Sequence, residues 1–79
     1  MPNTTSNSKI FNIIKKELKI KKISLKDGIN KTRNWDSINN MNILLKLESD
    51  LKIKFTSKEF NSLNNIKSII LNVRKKVKN

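Results

Sequence analysis

The chain has no cysteine and no histidine. Zinc sites built on those ligands, thiol nucleophiles, disulfides and imidazole acid–base chemistry are therefore excluded together. Alanine is also missing, and there is one proline and one glycine. No apolar run exceeds three residues, as in Ile43-Leu44-Leu45 and Ile69-Ile70-Leu71. Neither a transmembrane helix nor the apolar segment of a signal peptide is expected, and the cytoplasm is the simplest placement. Acidic residues number only six. No two of them are spaced to suggest a shared site, so an enzyme acting alone is not expected, and no metal site is either.

What is present is short and basic. Seventy-nine residues with 35% apolar content allow one domain, a few helices around one small core. The formal charge is +12, carried by sixteen Lys and two Arg (Arg33 and Arg74). Sixteen Lys, thirteen Asn and twelve Ile share A/T-rich codons, so base composition accounts for much of the bias without selection for a polyanion. The charge is uneven: +7 over residues 1–35, zero over 36–60 and +5 over 61–79. The neutral middle is the first functional clue.

Residues 1–7 are polar and aperiodic and read as a mobile tail, with the domain over 8–79. From Ser8 the spacing of Ile10, Ile14 and Leu18, with Phe11 and Ile13 beside them, predicts a helix fading near Ile20, with Ser6 or Ser8 as N-cap. Residues 21–35 form a long connection with a turn at Asp27-Gly28, pinned by Ile23, Leu25, Ile29 and Trp35. A second helix starts with Asp36 or Ser37 as N-cap. Its inward face is expected to carry Ile38, Met41, Leu45 and Leu44 and to continue to Leu51, broadened by Ile43 and Leu47. Glu48 and Asp50 fall in its last turns, where the helix dipole disfavours them, which hints that a partner selected them. Ile53-Lys54-Phe55 reads as a short extended stretch. Thr56 with Glu59 fits a capping box opening a short helix that carries Phe60. Asn64 is the expected cap of a last helix with Ile66, Ile69, Ile70 and Val73 inward and Val77 following. The lysine runs at 15–22 and 74–78 read as solvated faces. The whole is a small all-α, four-helix bundle of three long helices and one short.

Residues 35–55, WDSINNMNILLKLESDLKIKF, resemble the core of the acyl and peptidyl carrier proteins. In that family an Asp-Ser dipeptide opens the second helix, and here Asp36-Ser37-Ile38 matches it, with Ile where Leu is usual. Glu48 with the Leu51-to-Phe55 exit, and Asn64-Asn65-Ile66 with Ile70 and Val73, extend the likeness over about residues 8–77. The resemblance implies the acyl-carrier bundle and a covalent 4′-phosphopantetheine on Ser37, with Asp36 capping the helix and presenting Ser37 to a phosphopantetheinyl transferase. It also implies an acyl-loading ligase or acyltransferase and downstream acyl-using enzymes as partners of a monomer. Ile38, Met41, Glu48 and Asp50 are the candidate docking residues, although a Met at such a position is more often core than a partner contact.

Three features depart from the family pattern: the strongly basic charge, Arg33-Asn34-Trp35 in place of a Gly-containing approach, and Asn39, Asn40 and Asn42 where acids are usual. Trp before Asp-Ser resembles stand-alone carriers of specialised pathways. The basic flanks would match acidic patches on dedicated partners. The alternative is a small basic nucleic-acid-binding module. Against it stand two Arg only, aromatic residues at core-anchor positions, and fifteen residues between the two best helices. A carrier relative that acts only as an interaction domain is a third reading.

Overall fold

The structure, a computed structural model, describes residues 7–77. Four helices and no strand occupy them: α1 (Asn7–Leu18), α2 (Ser37–Leu51), α3 (Ser57–Ser62) and α4 (Ile66–Val77). The all-helical reading and the order of three long helices and one short are as expected. No helix among the described residues is long and apolar enough to cross a membrane.

Ile10, Ile14 and Leu18 repeat every fourth residue, so α1 buries one stripe and leaves its lysines outside. Asn7 and Ser8 are already helical, so Ser8 is no cap; Ser6 and the rest of the proposed tail lie outside the described residues. Lys19 closes α1 in a left-handed conformation, φ 58°, with Ile20 N–H donating to Lys15 O. The end of α1 meets the start of α2 through Asn34 Nδ2, which donates to Leu18 O at 2.7 Å. Ser8 and Asp50 share a groove at the other end, so the two helices run antiparallel. Ile66, Ile69, Ile70 and Val73 of α4 complete the core together with Trp35, Ile53, Phe55 and Leu63 from the connections. Each such side chain contributes about 1.5–3 kcal/mol by leaving water.

The inward face of α2 differs from the expected one. Asn40, Ile43, Leu44 and Leu47 are buried, whereas Ile38, Met41 and Leu45 are exposed. The helix has apolar residues on two sides, and burial goes to the side where Asn40 bridges Trp35 and Leu63. An apolar count cannot see an Asn inside the seam, and so shifts the stripe by one position.

The long connection is tied to the start of α4. Ile29 N–H donates to Asn64 O at 2.8 Å and Ile66 N–H to Asp27 O at 3.0 Å, around an isolated bridge between Gly28 and Asn65. Asn65, not Asn64, caps α4: its Oδ1 accepts Ser68 N–H at 2.8 Å, while the Asn64 carbonyl is given to Ile29. The Thr56–Glu59 capping box of α3 forms as expected. Lys76 departs from the solvated run, pairing with Glu59 at 2.9 Å with its Nζ 5.4 Å from the Phe55 ring centroid.

Candidate functional site at the start of α2

Asp36 is the N-cap of α2. Its backbone is extended, its Oδ1 accepts the N–H of Asn39 at 2.8 Å, and its carbonyl accepts that of Asn40 at 2.8 Å. Such a cap contributes about 1 kcal/mol. Ser37 is therefore the first helical residue. It is exposed, and its hydroxyl has no hydrogen-bond partner among the described residues. The N–H groups of Ser37 and Ile38 are likewise free there, as the first amides of a helix are unless something caps them.

The approach to Ser37 is fixed by polar contacts that periodicity does not reveal. Trp35, 2% exposed, anchors the loop in the core, as expected. Its Nε1 donates to Asn40 Oδ1 at 2.8 Å, and Asn40 Nδ2 donates to Leu63 O at 3.0 Å. Asn34, in the left-handed region at φ 67°, accepts on its carbonyl from Asn39 Nδ2 at 2.6 Å. Asn30 N–H donates to Trp35 O at 2.8 Å. Asn34, Asn39 and Asn40 are thus site-building residues missed from sequence. In an Asn-rich chain they carry no signal that separates them from surface Asn.

The four candidate docking residues fall into two kinds. Ile38 and Met41 are 73% and 53% exposed and lie on one side of α2 with Leu45, 47% exposed, which the sequence reading had placed inward. Glu48 and Asp50 have uses within the fold. Glu48 Oε2 accepts Phe55 N–H at 2.7 Å, anchoring the exit of α2, and Asp50 stands 3.8 Å from Lys46. The C-terminal position of Glu48 therefore has an intramolecular reason. Asp50 faces the groove between α1 and α2, lined also by Ser8, Lys16 and Glu17, at the far end of α2 from Ser37. The aromatic rings offer no exposed stacking platform: Trp35 and Phe55 are buried, and Phe11 and Phe60 are partly buried against the core.

Chemically, Ser37 is an exposed hydroxyl beside free helix-terminal N–H groups, with no base bonded to it. The chain matches no family model, no curated protein and no solved structure.

Proposed function

We propose that the protein is a carrier of the acyl-carrier type, holding acyl groups as thioesters on a 4′-phosphopantetheine esterified to Ser37 and serving a specialised biosynthetic pathway. The observation that carries this reading is the setting of Ser37: a free, exposed hydroxyl at the first position of a helix capped by the adjacent Asp36, one turn from the bare side chain of Met41. The residues fit the group. The unpaired N–H groups of Ser37 and Ile38 and the positive end of the helix dipole suit a phosphodiester on the Ser37 oxygen.

When attached, the arm supplies the terminal thiol that this cysteine-free chain lacks. The chain's own part is placement. Asp36 holds the helix start, the Trp35–Asn40 bond fixes that start against the core, and tethering keeps the cargo at high effective concentration for its enzymes. The partners in this reading are a phosphopantetheinyl transferase, an acyl-loading ligase or acyltransferase, and the enzymes that use the acyl group. Ile38 and Met41 are the accessible docking residues beside Ser37, with Glu48 and Asp50 contributing at the far end of α2. The protein itself catalyses nothing.

The test is intact-protein mass spectrometry after incubation with coenzyme A, magnesium and a broad-specificity phosphopantetheinyl transferase. One added phosphopantetheine on the wild type, and none on Ser37→Ala, is the expected result. Failure with that transferase and with one from the same organism would remove the carrier reading.

A further inference from the structure

The connection between α1 and α2 makes a tight turn at residues 24–27. Asp27 N–H donates to Ser24 O at 3.1 Å, and Asp27 Oδ2 accepts Ser24 N–H at 2.6 Å, which leaves Leu25 and Lys26 at the tip. Turn tips favour Gly, Asn, Asp, Pro and Ser, and a leucine there stands in water. Leu25 is one of the residues expected to pin the connection, yet it is 57% exposed. It shares a shallow cleft with Phe11 and Ile23, both only partly buried, and with Lys26.

Lysine surrounds this apolar tip. Residues 7–27 hold seven Lys against Glu17 and Asp27, a net charge of +5. Lys21, Lys22 and Lys26 are exposed on the connection itself. On α1, Lys15 stands one turn after Phe11 and lines the neighbouring cleft with Lys16, Lys19 and Ile20. Glu17 lies in the groove towards α2, with Lys46 and Asp50. Asp27 keeps its charge while bonded to Ser24 N–H and Thr32 Oγ1, and is the one carboxylate of the connection.

We propose that this face of α1 and the connection rests on an anionic lipid surface, with Leu25 entering the headgroup region beside Phe11 and Ile23. Interfacial binding joins a small apolar insertion to the attraction of lysines for anionic headgroups. Lysine stems lie along apolar side chains while their ammonium groups stay among the phosphates. An acidic protein site favours arginine, whose planar fork pairs two carboxylate oxygens, and all seven cations of this segment are lysine. A base has no platform here, because Phe11 is partly buried and the exposed tip is aliphatic. A second copy of the chain would bring another +12 against the first. The proposal goes beyond the carrier reading and uses neither Ser37 nor the exposed side of α2.

The full chain is incubated at physiological salt with vesicles of phosphatidylglycerol or of phosphatidylcholine, and bound protein is measured by co-sedimentation. Saturable binding to phosphatidylglycerol alone is expected, equal for the wild type and Ser37→Ala. Leu25→Ser leaves the charge intact and should weaken binding several-fold. Lys22→Glu with Lys26→Glu should weaken it several-fold more than Lys67→Glu with Lys75→Glu, the same charge change at exposed positions of α4. Circular dichroism should report an unchanged helix content for these variants. In wild-type protein, phosphatidylglycerol bicelles with a nitroxide-labelled lipid should broaden the amide NMR signals of residues 22–26 most. No binding, full binding of Leu25→Ser, equal losses from the two lysine pairs, or broadening centred on residues 38–45 would overturn the proposal. So would tighter, Leu25-dependent binding of polyglutamate or duplex DNA, which would hand the face to an acidic protein or to nucleic acid. Loading of Ser37, read separately by mass, decides the carrier reading whatever the vesicles do.

Discussion

The indole N–H of Trp35 donates to the side-chain carbonyl of Asn40 at 2.8 Å, and both residues are buried. Asn40 passes the connection on to the Leu63 carbonyl at 3.0 Å, so one amide ties the loop before α2 to the segment after α3. Truncation by Asn40→Ala leaves a buried donor and a buried acceptor unpaired. Each such group costs about 1–3 kcal/mol, so the unfolding free energy should fall by about 2–4 kcal/mol. Urea denaturation followed by Trp35 fluorescence measures it. A loss below about 1 kcal/mol would mean that water reaches both groups.

Glu59 makes the fold acid-sensitive. Its carboxyl is lowered from the ordinary 4.5 to about 2, first by the hydrogen bond from Lys76, then by the Thr56 N–H and Asn72. A depressed carboxyl stabilises the fold above its unfolded value and loses that contribution as pH falls through the folded one. The stability advantage of the wild type over Glu59→Gln should therefore be full above 4.5 and shrink steadily towards pH 2. Denaturation curves across that range that kept a constant gap would refute the assignment.

Gly28 is needed for clearance, not for φ, since no glycine here has positive φ. A Cβ at this position would stand 2.8 Å from Asn65 Cβ and 3.0 Å from Asn64 O, both on the segment that the loop must touch. Gly28→Ala should cost about 1–3 kcal/mol and speed hydrogen exchange at the Ile29 and Ile66 amides. Unchanged exchange at both would show that the loop yields without losing its bonds to α4.

Lys52 ends α2 in the left-handed region, φ 58° and ψ 47°, with its N–H on Glu48 O. A side chain there costs about 1–2 kcal/mol, partly offset in a glycine variant by the larger entropy of its unfolded chain. Lys52→Gly should raise the denaturation midpoint by a small, measurable amount. A lower midpoint would mean that the lysine stem contributes packing that outweighs the strain.

Apolar spacing made the helices legible in the sequence, and the capping signals placed Asp36 and Thr56 correctly. The place of Ser37 at the start of α2 was legible from the capping residue beside it. Two things were hidden. The first is the rotation of α2, because Ile38, Met41 and Leu45 are as apolar as Ile43, Leu44 and Leu47, and the buried side carries the polar Asn40. The second is the division of labour among charges. Glu48 and Lys76 look alike solvated in a one-dimensional pattern, yet Glu48 holds the Phe55 amide and Lys76 holds Glu59. Such contacts join residues of different segments, which a helical pattern does not pair.

The pin between Lys76 and Glu59 makes the shortest helix depend on the last one. Six residues make a helix too short to persist alone, and α3 has its own capping box but no buried side chain. Two turns of α4 hold it: Asn72 Nδ2 donates to Glu59 at 3.0 Å, and Lys76 reaches the same carboxylate and the Phe55 ring, with Phe60 set edge-on to that ring at 5.9 Å. Loosening the last turn of α4 would therefore take Lys76 from α3 and leave Asn72 and the packing of Phe60 to hold that helix.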